Sequence, residues 1–263
     1  MRWSSHGRVP FLALVSVLVA GWLATGCSGG GGASTSTRTA ATSSPAASST
    51  GVRSTEPIAY CVTREQQASS GVVVKSSAGG TIVAVVQGRG TTGIVFANMS
   101  DNDLCGWLGA ASDYAAKGYR TAVFSYSDQQ DADADIADIA ADLRRRGASK
   151  IVLIGASKGG TAVLAAASRV QPTAVVELSA PDTYEGMDAQ AAVKTLTVPS
   201  LFIVGADDLE FVNSTDDLYS ASPAKVKQRK VVASPAHGIA LLPDDAVAGT
   251  IGQFLATNAP ASG

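Results

Sequence analysis

Histidine is nearly absent from this chain, with two in 263 residues, His6 and His237. Cysteine occurs three times, as Cys27, Cys61 and Cys105, and neither Cys61 nor Cys105 has a His or Cys close by, so the spacing of a metal site is missing. Charged residues make up 16% of the chain and sum to −2, which leaves no basic footprint for nucleic acid. No internal repeat is visible. What the chain does have is apolar content, 46% of its residues, enough at this length to bury one sizeable core in a single domain.

Residues 1–26 are a targeting segment. Arg2 and Arg8 make a positive n-region, 9–20 an apolar h-region, and Leu23-Ala24-Thr25-Gly26-Cys27 closes it with small residues before a cysteine. This resembles the lipobox of bacterial lipoproteins, with Ala24 where leucine is usual. The resemblance implies cleavage before Cys27, lipidation of its thiol, and a protein held at the outer face of the bacterial cell membrane with no spanning helix left in it. An ordinary signal peptide or a lone membrane anchor is the alternative, and either reading exports the chain. Residues 27–56 follow as a tether rich in Gly, Ser, Thr, Ala and Pro, a composition that cannot bury enough apolar surface to order itself. The folded domain is expected over 57–260.

With Cys27 taken by lipid, Cys61 and Cys105 remain. An even pair in an oxidising compartment is expected to be bridged. The bond would tie Tyr60-Cys61-Val62 to the loop after an early core strand and contribute about 3 to 4 kcal/mol in the loop-entropy account.

Hydrophobic periodicity predicts an antiparallel strand pair at 71–75 and 82–87, a buried strand at 92–97, a helix over 107–117 ended by Gly118, and a strand at 119–126. Residues 131–146 (DADADIADIAADLRRR) are predicted helical, with acids in the first turns, arginines in the last and Gly147 as the stop. The D-A-D-A-D run lacks the glycine a calcium loop needs, since Ile136 stands there. Further on come strands at 174–178, 199–204 and 228–232, a short helical piece at 189–195, and helices at 214–221 and 244–257. Strands alternating with helices over short connections predict a parallel sheet covered on both faces.

The most informative stretch is 150–160, KIVLIGASKGG. Four apolar residues, Ile151 to Ile154, read as a strand buried on both faces, run into Gly155-Ala156-Ser157-Lys158-Gly159, and continue as an Ala-rich helix. A serine at the tip of so tight a strand-to-helix turn takes a strained conformation, and the positions two before and two after it must be tiny. Gly155 and Gly159 are. This resembles the nucleophile elbow of the α/β-hydrolases, and the resemblance runs from about Thr92 to the carboxyl terminus. It implies an α/β-hydrolase fold, with a mostly parallel central sheet and helices on both faces. Only a short stretch separates the strand at 174–178 from the one near Pro199, so no large cap domain is expected. Small, lid-poor members similar to dienelactone hydrolases are the nearest match.

A serine nucleophile needs an imidazole to take its proton and a carboxylate to orient that imidazole. His6 falls in the targeting segment, so His237 is the candidate base, and it follows the last predicted strand, where the family carries its histidine. The acid is expected after the preceding strand, in Gly205-Ala206-Asp207-Asp208. The family pattern selects Asp208, with Asp207 the alternative. The resemblance further implies a backbone oxyanion hole, with the Lys158 N–H as one donor and Met99 as the second, Ser100 being the alternative. Asn98 stands where many relatives have histidine and is equally readable as a loop-ordering side chain. The Lys158 cation either favours anionic substrates or caps solvent at the site mouth.

The expected activity is a serine hydrolase cleaving carboxylic esters, small-molecule or lipid-like, through an acyl-enzyme, with no metal or organic cofactor. A thioesterase or acyltransferase using the same residues is the near alternative. A non-catalytic, hydrolase-like surface lipoprotein that binds a cell-envelope ligand is the distant one.

Overall fold

The computed structural model describes residues 57–127 and 131–262. The targeting segment, Cys27 and the tether lie outside the described residues. A short helix, α1 (Arg64–Ser70), begins with a capping box: Thr63 Oγ1 accepts the Gln66 N–H and the Gln66 side chain accepts the Thr63 N–H. Two antiparallel strands follow, β1 (Gly71–Lys75) and β2 (Thr81–Gln87). Then come β3 (Thr92–Ala97), α2 (Cys105–Ala116), β4 (Arg120–Ser125), α3 (Ala132–Arg145), β5 (Lys150–Ala156), α4 (Lys158–Val170) and β6 (Ala174–Leu178). A small hairpin of β7 (Thr183–Tyr184) and β8 (Met187–Asp188) and the short helix α5 (Ala189–Val193) lead to β9 (Ser200–Gly205). The chain finishes with α6 (Leu209–Ala221), β10 (Lys227–Val232), a 3-10 turn at Gly238–Leu241 and α7 (Asp245–Asn258).

Eight strands form one sheet in the order β1-β2-β4-β3-β5-β6-β9-β10. The β2 strand runs antiparallel to both β1 and β4, and every pairing from β4 to β10 is parallel. Side chains alternate across this sheet with period two. In β5, Ile151 and Leu153 join the core under α3 and α4, while Val152 and Ile154 join the core under α2 and α7. Helix α3 presents Ile136, Ile139, Ala140 and Leu143 to the first core, as its spacing predicts. Trp107 and Tyr114 of α2 and Ile251 and Phe254 of α7 all belong to the second.

Parallel strands place all their following loops at one edge, and this gathers residues far apart in sequence. Asn98 follows β3, Ser157 follows β5, Ser179 follows β6, Asp208 lies just past β9, and His237 lies past β10. The crossover from β6 to β9 contains only the hairpin and α5, so no cap domain is inserted there.

A disulfide joins Cys61 to Cys105, with Cα atoms 5.8 Å apart. Cys105 is the first residue of α2 rather than part of a loop, so the bond fastens the amino-terminal segment directly to a core helix. No described helix is long and apolar enough to cross a membrane.

Candidate functional site

Ser157 stands between β5 and α4 with φ 51° and ψ −121°, a conformation that costs an L-residue energy and persists only where the surroundings over-determine it. Those surroundings are visible. The Ser157 N–H donates to Leu178 O at 2.8 Å, and Ser157 O accepts the N–H groups of Gly160 at 2.8 Å and Thr161 at 3.2 Å. The glycines are required by close approach: a Cβ on Gly155 would overlap the Gly159 carbonyl, and one on Gly159 would overlap the carbonyls of Ala97 and Asn98.

His237 and Asp208 are brought together. His237 Nδ1 lies 2.9 Å from Asp208 Oδ2, and the ring packs on Phe211, centroids 4.2 Å apart. With the carboxylate holding Nδ1, the tautomer with its proton there is favoured and Nε2 is left as the basic nitrogen. Asp208 reaches His237 because it is the residue that turns β9 into α6, where its own carbonyl accepts the Phe211 and Val212 N–H groups. Its neighbour Asp207 is exposed, and its N–H is spent on Ser234 O. Helix α6 begins at Leu209, five residues before the predicted start at 214. Leu209, 75% exposed, breaks the apolar periodicity there.

Ser157 and His237 do not share a hydrogen bond in this structure; among the described residues the only ring-nitrogen hydrogen bond of His237 is the one to Asp208. Their neighbours nonetheless lie close together. A Cβ built on Gly238 would lie 3.4 Å from Ala156 Cβ and 3.0 Å from Met99 Sδ, so the residue after His237 packs against the residue before Ser157. Ser179, which sequence reasoning missed, anchors this arrangement: its hydroxyl accepts the Gly238 N–H at 3.1 Å. The available signal was a polar residue directly after the apolar strand Ala174–Leu178.

Among the described residues the Met99 N–H donates to no protein acceptor. Asn98 orders the loop, its side chain donating to the Phe124 carbonyl. Lys158 does not cap solvent at the site mouth, since it is shut off from solvent. Its side chain is wholly buried, with Nζ 3.0 Å from Glu185 Oε2, 5.0 Å from the Tyr126 ring centroid and 5.8 Å from that of Tyr184. Glu185 sits in the turn of the β7–β8 hairpin, an element too short to leave a periodic signal. No group of three His, Cys, Asp or Glu among the described residues could hold a metal ion.

No family model matches the chain, and no curated protein does. Solved structures match over most of their own length. The esterase domain of a Rhodothermus marinus protein superposes with a TM-score of 0.59 at 18% identity, covering 70% of this chain and 96% of that one. Dienelactone hydrolase from Anabaena variabilis gives 0.59 at 20% identity, with 70% and 95% covered. An α/β serine hydrolase without lid from Xanthomonas campestris gives 0.56 at 16% identity, with 74% and 96% covered. The fold is that of the α/β-hydrolases. Within the α/β-hydrolase fold, strand-end loops are where ligand groups gather, and Ser157, Asp208 and His237 all occupy that edge.

Proposed function

We propose that this chain is a serine hydrolase that cleaves carboxylic esters through an acyl-enzyme. One observation carries the reading: the strained turn at Ser157 lies at the same sheet edge as the hydrogen-bonded Asp208–His237 pair, with so little room between Ala156 and Gly238 that a Cβ on Gly238 would meet Ala156. In this scheme Ser157 Oγ attacks the ester carbonyl carbon as its proton passes to His237 Nε2. The oxyanion is held by the Lys158 and Met99 N–H groups. Collapse breaks the ester C–O bond, and His237 returns the proton to the leaving alcohol. Water, deprotonated by the same imidazole, then releases the acid and restores Ser157. The names of the structural neighbours, esterases and a dienelactone hydrolase, support an ester substrate. A carboxyl edge with no cap domain inserted between β6 and β9 suits a range of acyl groups.

The proposal extends to location. The chain is exported and tethered to the outer face of the bacterial cell membrane through lipidated Cys27, and the Cys61–Cys105 disulfide supports an oxidising compartment. A second reading, a non-catalytic surface lipoprotein that binds a cell-envelope ligand, draws on the missing Ser157–His237 hydrogen bond. Catalytic hydrogen bonds are often long without substrate, so this observation weighs less than the strained turn. A fluorophosphonate probe separates the two. Labelling of the intact protein and not of Ser157→Ala supports the hydrolase, and folded protein that takes no label sinks it.

A further inference from the structure

We propose that Tyr126 is a positioning residue that aims the Met99 N–H at the oxyanion, an inference that rests on the serine hydrolase reading. Tyr126 follows β4 and is buried, its ring set edge-on against Phe124 with centroids 5.1 Å apart. It is tied to the loop after β3 at both ends. Its hydroxyl donates to Asn98 O at 3.1 Å, its N–H donates to Asn102 Oδ1 at 2.7 Å, and its carbonyl accepts Asn102 Nδ2 at 3.3 Å. The Asn102 N–H in turn donates to Met99 O at 3.2 Å. The 98–102 loop is therefore held by Tyr126 and by its own turn.

The first of these bonds sets a direction. A trans peptide is planar, so the Asn98 carbonyl and the Met99 N–H point to opposite sides of one rigid unit. Asn98 O is turned toward the Tyr126 hydroxyl and the first turn of α4, where Gly159 leaves it room. The Met99 N–H is thereby turned the other way, away from Tyr126, and the Met99 side chain itself lies beside Gly238, the neighbour of His237. Among the described residues no protein acceptor takes this N–H, as a donor reserved for a substrate oxygen requires. Burial raises the Tyr126 pKa far above its ordinary value, so the hydroxyl remains a donor throughout the working range.

Tyr126→Phe removes this hydroxyl and little else. Outright loss of an oxyanion donor costs about 100- to 1000-fold in kcat, and a donor left in place but no longer aimed should cost about tenfold. With p-nitrophenyl acetate, kcat is expected to fall by about that factor with KM within about twofold, because the contact strengthens only as charge develops. Affinity for an alkyl trifluoromethyl ketone, which forms a tetrahedral adduct with Ser157, should fall in parallel with kcat/KM. Loss of packing alone would not produce that parallel. If Tyr126→Phe does not fold, p-aminophenylalanine at position 126 keeps an N–H donor and should retain most of kcat; a tenfold loss there would overturn the proposal. Unchanged kcat in folded Tyr126→Phe, with the wild type active, overturns the role of Tyr126 and leaves the hydrolase reading standing. A wild type that neither hydrolyses esters nor takes a fluorophosphonate overturns both.

Discussion

Lys158 Nζ, wholly buried, lies 3.0 Å from Glu185 Oε2, a carboxylate 34% exposed at the tip of a hairpin. The residue after the candidate nucleophile thus fastens the β7–β8 turn to the elbow, and its charge is matched from within the chain. Removing Glu185 takes a charged partner from a cation that is wholly buried, whereas removing the cation leaves only Glu185, whose carboxylate solvent reaches. Glu185→Gln should therefore destabilise the fold by about 2 kcal/mol, less than a fully buried pair would because solvent reaches Glu185. Lys158→Met should change stability little and leave the preference between neutral and anionic esters unaltered. Urea denaturation checks the first expectation. A marked shift in charge preference for Lys158→Met would contradict the second.

The two neighbouring acids should separate sharply. Asp208 holds His237 Nδ1, and losing a carboxylate in that role costs about 10⁴-fold in kcat through the wrong tautomer. Asp208→Asn is expected to approach that loss, and Asp207→Asn, altering an exposed side chain, to stay within about threefold. Steady-state kinetics on both variants decides it; equal losses would mean that the Asp208 contact is not the working one.

Strain at Ser157 makes a prediction of the opposite sign for stability. At φ 51° and ψ −121° glycine pays far less than an L-residue. Ser157→Gly should raise the unfolding free energy by about 1 kcal/mol while abolishing hydrolysis. Loss of activity accompanied by loss of stability would indicate that the turn is not strained in solution.

These relationships differ in how much of them could be read from the chain. The sheet and its helices were legible because burial on two faces writes itself as apolar runs and as period 3.6, and the GASKG turn because only tiny residues survive the approach of Gly155 to Gly159. Helix α1 left no such trace, since it buries no residue and rests on its Thr63–Gln66 cap. The β7–β8 hairpin has two residues per strand, below the length at which alternation means anything. Tyr126, Ser179 and Glu185 act through contacts between loops brought together by sheet order, and no local pattern encodes which loops become neighbours. The fate of Lys158 was hidden for the same reason: its partner lies in that hairpin.

Glu177 supplies a pH test of the core. It is the penultimate residue of β6, opposite Gly155 on one side and Phe202 on the other, with Oε2 accepting the Ala180 N–H at 2.9 Å and Oε1 without a partner. Burial pushes its carboxyl up from 4.5 to about 8, against a smaller opposing effect of the Ala180 hydrogen bond. Between those values the folded chain holds a proton that the unfolded chain has released, so unfolding releases it and stability falls as pH rises. The contribution is fully present below 4.5 and gone once pH passes about 8. Glu177→Gln keeps an acceptor for Ala180 and removes the titration. Its melting temperature should therefore change less than that of the wild type between pH 5 and pH 9, and at pH 9 it should exceed the wild type by about 5 °C, the effect of roughly 2 kcal/mol in a domain of this size. Other groups titrate in both proteins alike, so the difference between the two curves isolates Glu177. Parallel curves would mean that the carboxyl reaches solvent or a compensating charge when it ionises.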